Sequence, residues 1–222
     1  MRIDAVIFDC DGLMFDTEIV AQQIWRDEGK KYGITYPEDF FQKITGAGGR
    51  DNARYIASIE GLGDILPKIR AKRFDLNFWR SINTDCLNRK GLIELFTYLE
   101  EHDYKVAICS SSAREYVEAL IATCSRPLKY DVIVCGDMVQ HAKPDPEIFL
   151  RGAKELGVEP QYCLVLEDSK QGILAAKAAG MRSCFIPDTI VPDEMMRAAI
   201  DMERDSLLDI IDLLEENRES HD

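Results

Sequence analysis

The sequence predicts an α/β protein in which a parallel sheet core is interrupted by an inserted helical domain. Three observations carry this expectation. Five short runs rich in Val, Ile, Phe and Cys have the continuous apolar character of strands buried on both faces. The last four are separated by segments of helical periodicity, the alternation that builds parallel βαβ units. Between the first two runs, no convincing β segment occurs over roughly seventy residues, far more than the dozen or so that a parallel crossover needs. Residues 17–89 are therefore expected to form a helical cap, and residues 1–16 and 90–222 the core domain.

In chain order, the first strand is read at Ile3–Phe8 and runs directly into Asp9, Asp11 and Asp16. The cap shows helical periodicity at Glu18–Tyr32, Asp51–Ile59 and Asp64–Leu87, broken by Gly33, Pro37 and Gly46-Ala47-Gly48-Gly49. Trp25, Phe78 and Trp79 are expected to pack the cap core. The second strand, Lys105–Cys109, leads into Ser110-Ser111-Ser112, and Ser112 with Glu115 reads as a capping box. After a third strand at Val132–Cys135, Asp145-Pro146 opens a helix that Gly157 closes. The fourth strand, Cys163–Leu166, is followed by a compact helix at Ser169–Ala179 ending at Gly180, and the fifth strand is Ser183–Ile186. The acidic stretch Ser206–Asp222 reads as a solvated helix face with a frayed end.

Composition narrows the function. A chain of 222 residues that is 46% hydrophobic can bury a full core, and its formal charge of −13 disfavours nucleic acid and acidic membrane surfaces as partners. Any anion site must be assembled locally, from cations and backbone amides. The cysteines at 10, 86, 109, 124, 135, 163 and 184 show no C-x-x-C spacing and read as small hydrophobes in a reducing compartment. No signal or membrane-spanning stretch is evident, so a cytoplasmic, soluble protein is expected.

The chemistry concentrates where strands end. In an open parallel sheet, ligands bind at the carboxyl ends of the strands. Asp9 and Asp11 follow the first strand, and Glu167-Asp168 follows the fourth. Converging carboxylates need a cation between them. Oxygen-only ligation with no His or Cys beside it favours Mg²⁺ over a transition metal. Ser110–Ser112 leads into a helix N-terminus suited to an anion, and Lys143 stands on a nearby loop. Singly, these features are a turn, a cap, a surface lysine and acid at a helix start. Jointly, at one edge of one sheet, they read as a site.

The motifs "DCDGLMFDT", "ICSSS", "KPDPEIF" and "LEDSKQGILAAKAAGM" resemble the four motifs of the haloacid dehalogenase-like hydrolase superfamily. The order and the helical insert resemble its phosphatase and β-phosphoglucomutase branch. The resemblance implies a Rossmann-like parallel sheet core with an α-helical cap, and Mg²⁺-dependent hydrolysis of a small phosphorylated metabolite. Asp9 would be the nucleophile and Asp11 the general acid and base. Ser110 would donate to the phosphoryl oxygens and Lys143 would neutralise their charge. Asp9, Asp11 (through its carbonyl) and Asp168 would hold the metal, with Glu167 in support. Ser111, Gly46 and Arg50 are candidates for substrate contact, the last two on the glycine-rich cap turn. Asp16 is read as structural, Cys10 as a packing residue, and His102, His141 and His221 as lacking any paired base.

Two departures from the resemblance bear on activity. Ala21 occupies the place where β-phosphoglucomutase-like sequences carry a His, which disfavours a phosphomutase. Ala142 stands where Gly commonly precedes the Lys-Pro pair. The presence of Asp11 disfavours a true dehalogenase, and the intact acid, serine and lysine set disfavours a non-catalytic binding module.

Overall fold

The computed structural model describes residues 2–44, 54–82, 85–188 and 190–219. Among them, one parallel sheet of six strands has the order β3-β2-β1-β4-β5-β6. The strands are β1 (Ala5–Phe8), β2 (Lys105–Ser110), β3 (Val132–Cys135), β4 (Cys163–Glu167), β5 (Arg182–Phe185) and β6 (Met202–Glu203). The chain winds outward from β1 in one direction through β2 and β3, then in the other through β4 to β6. The reversal falls between β1 and β4, where such sheets open a crevice.

Alternation along the strands feeds two cores. Val6, Phe8, Val106, Ile108, Leu164 and Leu166 face one side. There they meet α5 (Leu92–Glu101), α6 (Arg114–Ile121) and α10 (Asp209–Glu219), with Phe8 and Phe96 rings 4.7 Å apart. Ala5, Ile7, Ala107, Cys109, Cys163 and Val165 face the other side, covered by α7 (Glu147–Leu156) and α8 (Lys170–Ala178), while α9 (Glu194–Arg197) packs Met196 against Ile173 and Phe185. Each fully buried large apolar side chain contributes about 1.5–3 kcal/mol through removal from water.

The inserted segment is helical, with α1 (Thr17–Lys31), α2 (Phe40–Ile44), α3 (Leu62–Arg73) and α4 (Leu76–Ser81). Ile24, Trp25, Phe40, Leu62, Ile65 and Ile69 form a separate apolar cluster there. The buried Glu28 on α1 accepts from Lys31 and, across the cap, from Lys72 on α3. Asp16 caps α1, accepting the Ile19 N–H, a structural role.

Several expectations need correction. The periodicity over Asp64–Leu87 is two helices, because Asp75 accepts the Asn77 N–H and restarts the chain as the N-cap of α4. Trp79 packs in the core domain's cluster, 5.6 Å from the Tyr116 ring; only Trp25 belongs fully to the cap. Ser112 does not cap α6, whose N-cap is Ala113 without a side-chain bond. Asp145 lies one residue before the N-cap Pro146, yet its side chain still accepts the Glu147 N–H. β6 is a strand absent from the sequence reading, too short to show a period. The tail is more than a solvated face, since Leu207, Ile210, Leu213 and Leu214 are buried in the core.

Candidate active site

Asp9 and Asp11 are placed by the way β1 ends. The Asp9 N–H still donates to Leu166 O on β4, and the chain then folds into a tight turn with Met14 N–H donating to Cys10 O and Gly12 N–H to Phe15 O. Gly12 has φ +81°, and a Cβ there would lie 2.3 Å from Asp168 Oδ2. The missing side chain lets the β1 turn rest against the carboxylate that follows β4. Cys10 turns into the apolar cluster, away from the two acids beside it.

Lys143 occupies the centre. Its side chain is 5% exposed, and its ammonium donates to Asp9 Oδ1 at 2.5 Å, Glu167 Oε1 at 2.8 Å and Cys109 O at 3.2 Å, which uses all three of its N–H groups. It also lies 4.6 Å from the Phe149 ring centroid. Burial works against the charge on Lys143, but Asp9 and Glu167 outweigh it and hold the ammonium protonated. Burial pushes the Asp9 carboxyl up to about 7, with Lys143 pulling it down and Glu167 pushing it up.

Glu167 is fully buried and both of its oxygens are engaged, Oε1 by Lys143 and Oε2 by the Ser169 N–H at 2.7 Å. It packs against Gly172 on α8 so closely that a Cβ there would come within 1.6 Å of Oε1. Its place is thus beside the lysine, as the second counter-charge.

Asp11 is surrounded by hydroxyls. Ser112 Oγ donates to its Oδ2 at 2.8 Å and Ser110 Oγ approaches the same oxygen at 3.5 Å, while Thr17 Oγ1 donates to Oδ1 at 3.2 Å. Ser110 is itself buried and accepts the Ser112 N–H. Ser111 lines a cavity of about 130 Å³ beside Lys143, together with Ala142.

Asp168 is buried, and its Oδ1 has no hydrogen-bond partner. Burial and the charges of Glu167, Asp9 and Asp188 drive its carboxyl well above the ordinary range. Of the four carboxylates gathered here, Asp9 and Glu167 hold the Lys143 ammonium, Asp11 is held by hydroxyls, and Asp168 keeps one oxygen without a partner. A buried, unpaired carboxylate oxygen in an all-oxygen donor set is what a hard divalent cation satisfies. The residues present fit Mg²⁺.

The structure brings Asp9, Asp11, Ser110, Lys143, Glu167 and Asp168 together, with Ser111 at the edge. Gly46 and Arg50 lie outside the described residues. His102 Nδ1 pairs with Tyr98 O, away from the site. His141 has a carboxylate partner after all, in Glu147 at 2.8 Å, but on the exposed loop. Among the described residues, His141, Asp145 and Glu147 form the group of three potential ligand atoms within 4.8 Å of one another; Glu147 there already takes the Gln140 and His141 amides.

Two neighbours, Thr17 and Asp188, and the role of Ser112 were not foreseen. Ser112 and Thr17 hold Asp11, and Asp188 lies at the end of β5, within 3.4 Å of where a Gly12 Cβ would fall. Asp188 is paired with Arg89 at 2.5 Å, and Arg89 also donates to Pro187 O. Applying the carboxyl-end rule to the fifth strand as well would have found Asp188.

Gly12→Ala is expected to show how tightly this corner is built. Left-handed φ costs a side-chain-bearing residue about 1–2 kcal/mol, and Asp168 must also move. Thermal melting should fall by several degrees, with at least a tenfold loss of turnover if Asp168 is needed. Unchanged activity would show that the position of Asp168 is immaterial.

A parallel sheet with this strand order, a helical insert after β1, and acids, a serine and a lysine gathered at its carboxyl edge define a hydrolase core of the haloacid dehalogenase type. The family profile described as haloacid dehalogenase-like hydrolase matches residues 6–186. The chain belongs to that family. It is 31% identical over 183 residues to a phosphorylated carbohydrates phosphatase from Thermotoga maritima, covering 82% of this chain and 84% of that one. It is likewise 31% identical over 209 residues to Protein CbbY from Rhodobacter capsulatus, covering 90% and 92%. Among solved structures, a putative β-phosphoglucomutase from Thermotoga maritima superposes with TM-score 0.76 at 27% identity, covering 96% of this chain and 99% of that one. CbbY from Rhodobacter sphaeroides in complex with xylulose-(1,5)bisphosphate gives TM-score 0.72 at 27% identity, covering 93% and 96%.

Proposed function

We propose that the protein is a Mg²⁺-dependent phosphatase of a small phosphorylated metabolite that turns over through an aspartyl-phosphate on Asp9. The observation that carries this reading is the buried pairing of Asp9 with Lys143 beside the unpartnered carboxylate oxygen of Asp168. Phosphatases among the relatives and the xylulose bisphosphate bound to a structural neighbour support the reaction class and the small anionic substrate.

In this reading Asp9 attacks phosphorus as the bond to the leaving oxygen breaks, so one displacement becomes two. Asp11 gives its proton to that oxygen. It then takes a proton from the water that attacks the phosphoryl group, which frees phosphate and restores Asp9. Ser110 donates to a phosphoryl oxygen and Lys143 balances the charge on the phosphoryl oxygens, while Glu167 keeps Lys143 in place. Asp9, Asp168 and the carbonyl of Asp11 would hold Mg²⁺, which when bound supplies positive charge where phosphoryl transfer most needs it.

Hydrolysis is favoured over a mutase because Ala21 is buried on α1 with no group that could exchange protons. All seven cysteines are free thiols, which suits the reducing cytoplasm. Among the described residues, no helix is long and apolar enough to cross a membrane.

Purified protein should release phosphate from para-nitrophenyl phosphate with Mg²⁺ present. EDTA should lower the rate by at least a hundredfold, and excess Mg²⁺ should restore it. A rate indifferent to EDTA would overturn the metal assignment. Absence of turnover across a panel of phosphorylated metabolites, with metal-dependent ligand binding retained, would favour a binding module instead.

A further inference from the structure

Lys143 enters the site from an exposed loop. Its side chain is buried, yet His141, Ala142 and Pro144 around it are exposed. The ammonium must meet Asp9, Glu167 and Cys109 O at once, so the backbone that carries it has little freedom to shift. Packing alone does not fix that backbone. A cavity of about 130 Å³ lies against the loop, lined by Val139, Gln140, Ala142, Lys143 and Ile148 among others. A void withdraws contacts from its walls.

Glu147, in the first turn of α7, supplies the hold. Its Oε1 accepts the Gln140 N–H at 2.9 Å, and its Oε2 accepts the His141 N–H at 2.9 Å and lies 2.8 Å from His141 Nδ1. An acid at this place in a helix ordinarily serves the helix itself. Here the carboxylate is turned back onto the loop, and Asp145 Oδ1 accepts the Glu147 N–H at 3.0 Å in its stead. The Gln140 amide, against burial and with the help of His141, holds the Glu147 carboxyl below its ordinary range, so it grips the loop as an anion. Hydrogen bonds to an ionised acceptor are about twice as strong as neutral ones. The next two residues, Ile148 and Phe149, are buried. Cys109 Sγ donates to Ile148 O, tying α7 to β2, and the Phe149 ring lies 4.6 Å from the ammonium.

We propose that Glu147 is a positioning residue for Lys143: it clamps the amides two and three residues upstream and so fixes the lysine to the helix that also carries the Phe149 ring. The proposal rests on the reading of Lys143 as the charge that faces the phosphoryl group. Glu147 itself touches neither substrate nor metal.

The test compares wild type, Glu147→Ala and Glu147→Gln as full chains with Mg²⁺ present. For Glu147→Ala, kcat on para-nitrophenyl phosphate should fall about tenfold, the scale for a catalytic group displaced by about 1 Å or less. KM should stay within about twofold, because the interaction weakened belongs to the transition state. Glutamine keeps the shape and one acceptor but turns a donor toward the His141 N–H, so its kcat should fall between alanine and wild type. The second readout is the lysine. In isotope-labelled protein a buried, hydrogen-bonded ammonium exchanges slowly enough to give its own proton–nitrogen resonance, assigned by its loss in Lys143→Met. That resonance should shift or broaden in both Glu147 variants. A merely structural role would lower the melting temperature but leave kcat and the resonance unmoved well below the transition.

A Glu147→Ala enzyme with kcat within about twofold of wild type would overturn the proposal. So would a loss of turnover with the ammonium resonance unmoved, which would place the cause elsewhere. Should Glu147→Ala not fold, Glu147→Gln decides by the same two readouts. If Lys143→Met turns over like wild type, the reading of Lys143 fails instead, and the resonance still reports whether Glu147 places the lysine.

Discussion

Asp9→Asn is expected to reduce phosphate release by about four orders of magnitude or more, the scale seen when a nucleophile is removed from a catalytic unit. The amide keeps the shape of the carboxylate but cannot form the aspartyl-phosphate. Acid-quenched reactions with radiolabelled ester should retain label on the wild-type chain and none on the variant. The fold should survive, because Lys143 keeps its bonds to Glu167 and to Cys109 O. The variant also removes the buried carboxyl whose own desolvation disfavours its charge, so its melting point should lie within a few degrees of wild type. Substantial residual turnover with full label retention would place the nucleophile elsewhere.

Lys143→Met should be more damaging, since it strikes stability and activity together. Methionine preserves the contact with the Phe149 ring but leaves Asp9 and Glu167 facing each other in a buried setting, with side-chain exposures of 11% and 0%. Removing one partner from a buried ionic network costs about 3–5 kcal/mol, which in a chain of this size lowers the melting temperature by roughly 6–20 °C. Turnover should fall by at least about a hundredfold through loss of the charge facing the phosphoryl group. Combining Lys143→Met with Glu167→Gln removes the orphaned charge and should recover most of the melting temperature without recovering activity. A single variant that melts with wild type would show that the network contributes little.

Much of this was legible in the sequence because strand ends are local. Asp9, Asp11, Asp168, Ser110 and Lys143 could be grouped from five apolar runs and the rule that ligands gather at carboxyl edges, and the structure brings them together. The parallel order and the helical insert were likewise written in period and length. What escaped depends on tertiary choice. Ser112 has the pattern of a helix cap, but a serine hydroxyl takes the better acceptor within reach, and Asp11 supplies it across 101 residues of sequence. Trp79 lies in the inserted segment yet is buried in the core domain, a preference that no periodicity encodes. The acidic tail looked solvated because its charges outnumber its leucines, whereas α10 needs only one apolar stripe to dock.

Gly172 gives the lysine network a further consequence. It stands in the first turn of α8, its N–H donating to the Ser169 N-cap hydroxyl, a place where helical preference alone would favour alanine over glycine. Yet the ground above that position is taken by the Glu167 carboxylate. Local helical preference is thus overruled by an acid on the neighbouring strand, and a substitution chosen only to strengthen the helix would push that acid off its ammonium. In this chain the margin for evolving greater thermal tolerance is bounded, at one backbone position, by the electrostatics of a buried ion pair.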